Sequence, residues 1–237
     1  MKLKNILSLT LALSLVTSVS FATANKGDSK QRGKAASNVI DSDSSQTVDF
    51  NEQLHLVYVR EEEKLARDVY IKLSMIYPES IVFGKIDDSE QRHTDAVRDK
   101  LKQYGIEDPS TNDNVGVFTG EEFGEYFTEK YVSLISRGGI SELEAFYVGA
   151  YIEELDMRDI NQCPDEIIHQ DNGINDLLAC GKVYTDNPDI KQLYMSLLDG
   201  SDSHLKAYVK NIEKFIGEGN YEAQVLSQEE VDAILER

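Results

Sequence analysis

The chain has 237 residues, with 43 acidic against 24 basic side chains and a formal net charge of −19. A field of that sign repels nucleic acid and anionic membrane surfaces and draws in cations, so nucleic acid is excluded as a partner and metal ions are favoured. The two cysteines are too few and too far apart for the closely spaced Cys pairs of structural zinc sites.

Residues 1–24 carry Lys2 and Lys4, an apolar run from Ile6 to Phe21, and then Ala22-Thr23-Ala24. This is the pattern of a secretory signal peptide cleaved near Ala24, and it predicts export to a periplasmic or extracellular space. The competing reading is an uncleaved anchor. No later segment is apolar over a spanning length, so no membrane association is expected after cleavage. Loss of the two lysines takes the charge from −19 to −21. Residues 25–47 are rich in Ser, Asp, Lys, Gly and Asn and read as a disordered leader. Residues 48–237 have the length of one domain with a substantial core.

The first helix is predicted over 54–76, from the recurrence of Leu54, Tyr58, Leu65, Val69, Leu73 and Ile76. Glu62 falls at the centre of this apolar arc on a wheel of about 100° per residue. Glu61 and Glu63 fall on its shoulders, and for Glu61 a solvated face with Lys64 is the expectation. Tyr77-Pro78 ends the helix. Asp87-Asp88-Ser89 then offers N-cap chemistry for a second helix, whose stripe is Ile86, Glu90, His93, Val97, Leu101 and Tyr104. Glu90 and His93, three residues apart, stand where core residues belong. An uncompensated charge buried there costs several kcal/mol, which a metal would remove.

A long connection over 106–139 follows, with its own helical stretch near 121–136, and suggests a crossover rather than a hairpin. Ser141 is the N-cap of a third long helix predicted over 142–160. Glu154 is central to its apolar face, Glu153 lies at the edge and Asp156 further round, so Glu154 is the geometric candidate and Glu153 its competitor. Residues 161–188 form a Cys-containing insert. In an oxidising compartment Cys163 and Cys180 are expected to form one disulfide worth ~3 kcal/mol. A Cys site with His169 is the alternative. The last long helix, over 189–216, keeps the stripe Ile190, Leu193, Leu197, Ser201, His204, Tyr208, Ile212 and Phe215, with Ser201 and His204 again replacing apolar residues.

These positions assemble a candidate metal site: a Glu from the first helix, with Glu62 the choice of the wheel, Glu90 with His93, Glu153 or Glu154, and His204. Carboxylates with two imidazoles suit iron or manganese, with zinc possible. The expected fold class is all-α, a four-helix bundle with a long crossover between its second and third helices.

Five segments carry a family resemblance: 61–70, Ser89-Glu90-Gln91-Arg92-His93, Gly116-Val117-Phe118-Thr119, 149–156 and 203–208. They resemble, in order, the bacterial ferritin-like family called domain of unknown function 2202. The similarity runs from about Leu54 to the end, through Tyr221 and a small C-terminal helix near 227–235. It implies a ferritin-like fold. The wider ferritin and rubrerythrin superfamily places a helix-one Glu seven residues before a Tyr, which matches Glu63 and Tyr70 and makes Tyr70 a hydrogen-bond donor behind the ligands. It also carries a second Glu-x-x-His, and here Ser201 stands at that Glu position. One bridging carboxylate is therefore missing, and a single metal or an asymmetric pair becomes the expectation.

Two functions follow. One is a redox enzyme, a ferroxidase or peroxide-reducing oxidoreductase with a di-iron or di-manganese site acting on Fe(II), O2 or peroxide. The other is a non-catalytic or structural protein holding metal without turnover. A homo-oligomer is compatible with either.

Overall fold

The computed structural model describes residues 47–237; the expected signal peptide and nearly all of the expected leader lie outside them. Asp49 opens α1 (Phe50–Ile76) with a capping box, its side chain accepting from Glu52 N–H while Glu52 reaches back to the Asp49 N–H. Tyr77 closes the helix ahead of Pro78. The second helix, α2 (Ile81–Gln103), begins after Ser80 and not at Asp87. Phe83 and Ile86 explain the difference: both are buried, and only a helix that has already started places them one turn apart on the core side.

After Gly105 the chain runs along α1 before entering α3 (Gly124–Gly138). Ser141 caps α4 (Glu142–Asn161) by accepting from Glu144 N–H. A single turn, α5 (Asp165–Ile168), follows, and the insert is closed by a Cys163–Cys180 disulfide. Asn187, with Pro188 in the first turn, starts α6 (Pro188–Ile216), and a second capping box between Ser227 and Glu230 starts α7 (Gln228–Ile234). Among the described residues all regular structure is helical, and no helix is long and apolar enough to cross a membrane.

The long helices pair as α1 with α2 and α4 with α6, and the pairs meet through α1–α4 and α2–α6. Tyr70 reaches Gly149 while Tyr58 reaches Asp159, so α1 and α4 run antiparallel. One hydrophobic cluster runs the length of the molecule, from Phe83, Phe146, Tyr208 and Tyr70 to Tyr58 and Cys163, and a second gathers Leu56, Val97, Leu101 and Tyr194 between α1, α2 and α6. The polar residues of the sequence stripe lie between these clusters. Phe215 departs from the stripe: it is exposed, at the penultimate position of α6.

The face of α1 expected to be solvated is buried. Arg60, Glu61 and Lys64 are all 0% exposed because the segment between α2 and α3 lies over them. Arg60 donates to Thr94 and pairs with Asp108, Lys64 donates to the Asn114 carbonyl, and Glu61 accepts from Gly120 N–H.

A candidate metal centre

Glu90 is at the middle of the polar region. Its Oε2 lies 2.8 Å from Nδ1 of His93, one turn along α2, and its Oε1 lies 2.7 Å from Nδ1 of His204 on α6. Glu63 on α1 is 3.3 Å from the same nitrogen of His93, and Glu153 on α4 is 3.5 Å from that of His204. Two groups of three ligand atoms result, Glu63–Glu90–His93 and Glu90–Glu153–His204, each within 4.8 Å and both containing Glu90. The two imidazole centroids are 5.6 Å apart.

These atoms crowd together without satisfying one another. Both oxygens of Glu63, Oε2 of Glu153, Oε1 of Glu90 and Nδ1 of His204 lack a hydrogen-bond partner although they are buried. The 2.7 Å approach of His204 to Glu90 is close enough for a hydrogen bond but misaligned for one, which leaves an ion-pair contact. His93 shares one hydrogen bond with Oε2 of Glu90, but the remaining buried lone pairs converge without partners, as ligands to a shared cation do. The donor set fits the metal expected from the sequence: three carboxylates and two imidazoles suit iron or manganese, and also zinc.

Without a metal, protons do the balancing. Burial alone would raise the Glu90 carboxyl, but His204 and His93 outweigh it and hold it at about 2. Burial works against the imidazolium of His93, yet Glu63 and Glu90 raise it to about 11; His204 is raised to about 10 by Glu153 and Glu90 against the same penalty. Burial raises Glu63 to about 7, with His93 opposing. Behind the ligands, Tyr70 donates to Oε1 of Glu153 at 2.6 Å and orients it.

A family model described as an uncharacterized protein domain, DUF2202, matches residues 52–175 and 170–237. The chain belongs to this family. A DUF2202-matching chain of this kind is similar to the uncharacterized protein MJ0754 of Methanocaldococcus jannaschii, 38% identical over 196 residues, which spans 83% of this chain and 92% of that one. It is also similar to the crystal structure of hypothetical protein MJ0754, with a TM-score of 0.67 and 37% identity over 81% of this chain and 95% of that chain.

The DUF2202 domain sorts the sequence candidates. Glu63, Glu90, His93, Glu153 and His204 meet at one place. Glu154 does not: its oxygens accept from Tyr221 Oη and from the backbone N–H groups of Gln224, Val225 and Leu226, so it anchors the C-terminal segment instead. Glu62 is buried beside the groups but belongs to neither. Ser201 donates to the Leu197 carbonyl of its own helix and supplies no ligand. With Ser201 supplying no ligand, Glu153 is the carboxylate that stands with His204 in the second group, and Glu90 alone is shared.

Three residues escaped the sequence reading. Asp156, set aside as lying further round α4, is 2% exposed and close to the centre. Its three-residue spacing from Glu153 was the available signal, the same spacing that drew attention to Glu90 and His93. Gly200 on α6 faces His93 so closely that no side chain fits between them. His55 is a fully buried histidine that bonds Tyr194 and the Asp159 carbonyl, and burial lowers it to about 4. It is a neutral core residue and offers nothing to the centre.

Proposed function

We propose that this DUF2202 protein is an exported, ferritin-like metal protein whose four long helices hold a dinuclear centre, and that it acts as a non-haem di-iron or di-manganese oxidoreductase on Fe(II), O2 or peroxide. The observation that carries the reading is the sharing of Glu90 between two three-ligand groups. A carboxylate with one oxygen toward each imidazole is placed to bridge two cations, with Glu63 and His93 completing one position and Glu153 and His204 the other. Iron or manganese held there supplies paired one-electron chemistry. The chain's part is to fix the ligands on rigid helices, orient Glu153 through Tyr70, and keep the site apart from bulk water, since Glu63, Glu90 and Glu153 are at most 1% exposed. Three donors to each position leave room for solvent or a small oxidant.

Elemental analysis of anaerobically purified protein, followed by Fe(II) addition with O2 or peroxide consumption recorded, tests the reading. Two equivalents of metal with turnover are expected. Glu153→Gln should weaken one position selectively, and Glu154→Gln should leave the stoichiometry intact because that carboxylate only holds the C-terminal segment. Metal bound at two equivalents without turnover would leave a metal-holding protein and remove the oxidoreductase. Absence of bound metal, with thermal stability unmoved by metal addition, would remove both.

A further inference from the structure

The α1–α4 interface beside the centre holds two more buried carboxylates that neither ligand group uses. Both oxygens of Glu62 and Oδ1 of Asp156 lack hydrogen-bond partners, although each residue is only 2% exposed. Asp156, one turn along α4 from Glu153, lies within charge range of Glu62 and of the Glu63, Glu153 and Glu90 carboxylates of the centre. Glu62 in turn lies within charge range of Asp159 and Glu166. Tyr58, one turn before Glu62, ties these two together, its hydroxyl 3.3 Å from Asp159 Oδ2 and 3.3 Å from Glu166 Oε2. Glu166 is on α5 and half-buried, so the row of carboxylates begins at the surface.

Nothing in the packing requires this row to be acidic. A buried carboxyl without a partner costs stability, and a charged one costs more, so apolar residues of similar size would make a more stable interface. Carboxylates at successive depths are what a cation needs in order to shed water by stages. Neither Glu62 nor Asp156 joins two other ligand residues within 4.8 Å, so a cation between them is held less firmly than in the centre. A weak position next to a strong one favours passage over storage.

We propose that Glu62 and Asp156 form a staging position for a divalent cation, on a route from Glu166 at the surface, past the buried Asp159, to the two ligand groups around Glu90. This rests on the metal-centre reading above. Two cations stand at the outer part of the route. Arg158 pairs with Asp159 at 2.7 Å, and Lys130 bonds Tyr126 Oη at 2.7 Å while lying over the Tyr126 and Tyr151 rings. They offset part of the negative charge near the surface, and Lys130 acts on Glu62 as well, which leaves Asp156 as the least compensated inner part.

The test is timed uptake of Co(II), added alone to the metal-stripped full chain and followed by its visible absorption, with final stoichiometry measured separately. Glu62→Gln and Asp156→Asn should each slow uptake by about tenfold, the lower end of what focused charge contributes to association rates, and leave the tight equivalents unchanged. Lys130→Gln should speed it. Asp95→Asn, an equal change of charge on the exposed face of α2, should do neither. Both isosteric amides remove a buried acid and should melt no lower than the parent, which separates slow uptake from misfolding. Unchanged rates in the Glu62 and Asp156 variants would overturn the staging position, and so would loss of tight equivalents, which would make these residues ligands of the centre itself. If the parent chain takes up no Co(II), the metal-centre reading falls with it; if the parent binds and the variants match its rate, only the staging position falls.

Discussion

A Cβ at Gly200 would lie 2.3 Å from Cε1 and 2.5 Å from Nε2 of His93. The bare backbone of α6 therefore lets the imidazole lie against it and turn Nδ1 toward Glu90 and Glu63. Gly200→Ala is expected to keep the fold, since alanine favours a helix interior, and to push the ring out of line. Metal affinity should fall by about 10–100-fold, the range for changes just behind the ligands, and isothermal titration with Mn(II) measures it. Affinity equal to that of the parent would show that His93 does not need this approach. Residues at this level were partly legible in advance. Glu90 and His93 stood out because three-residue spacing on one helix is a local property. The choice between Glu153 and Glu154 was not, because a wheel measures the angle to apolar neighbours, and α4 is buried on so many sides that both angles point inward. What separates them is the partner each meets, Tyr70 and His204 for one and the chain near Tyr221 for the other.

Among the elements, α1 shows how far burial can depart from pattern. Lys64 and Asp68 form a fully buried pair, Arg67 joins it at 2.7 Å, and Gly116 N–H donates to the same carboxylate at 2.9 Å. This network fastens the segment between α2 and α3 to α1. Asp68→Ala would leave two buried cations without their common anion, and a loss of about 3–5 kcal/mol is expected in denaturant unfolding. Arg98 and Asp95, each 40% exposed, are the contrast: breaking that pair should change stability by less than about 1 kcal/mol. Equal effects of the two changes would refute the network. From the sequence, the Glu61 to Asp68 stretch has the charges of an ordinary solvated face, since spacing within one helix carries no information about a covering segment some 50 residues away.

For the whole molecule, the buried ionisable groups make stability depend on pH in a direction that can be worked out. His93 and His204 have folded values of about 11 and about 10 against 6.5 in the open chain. Burial raises Glu61 and Glu63 from 4.5 to about 7. Each of these groups binds its proton more tightly in the folded state, so its stabilising effect is complete below the open-chain value and is lost as pH rises toward the folded one. His55, lowered to about 4, works oppositely but only below 6.5, and Glu90, lowered to about 2, only below 4.5. Above 6.5 these groups agree, and Lys64, which burial lowers from 10.5, works oppositely only on its alkaline side. The metal-stripped protein should therefore melt at a lower temperature as pH goes from about 6.5 to about 8, as calorimetry with a chelator present would record; a rising melting temperature would contradict the protonation scheme. Metal takes the place of these protons, so its binding should release protons and tighten as pH rises over the same range.

The sequence alone determined the helical class, the family resemblance and the residue types that converge, because amphipathic period, cap residues and Glu-x-x-His spacing are all properties of neighbours along one chain. It also placed Glu90 at the centre of the argument. Only the tertiary structure decided that Glu90 is shared by two groups, that Glu63 and Glu153 are the carboxylates that join it, and that Glu154 serves the C-terminal segment. The same structure buried Glu62 on α1 and Asp156 on α4 with oxygens that have no hydrogen-bond partner. Each of these outcomes depends on what a different helix presents at a given depth, and that is set by how the helices pack, not by any spacing within one of them.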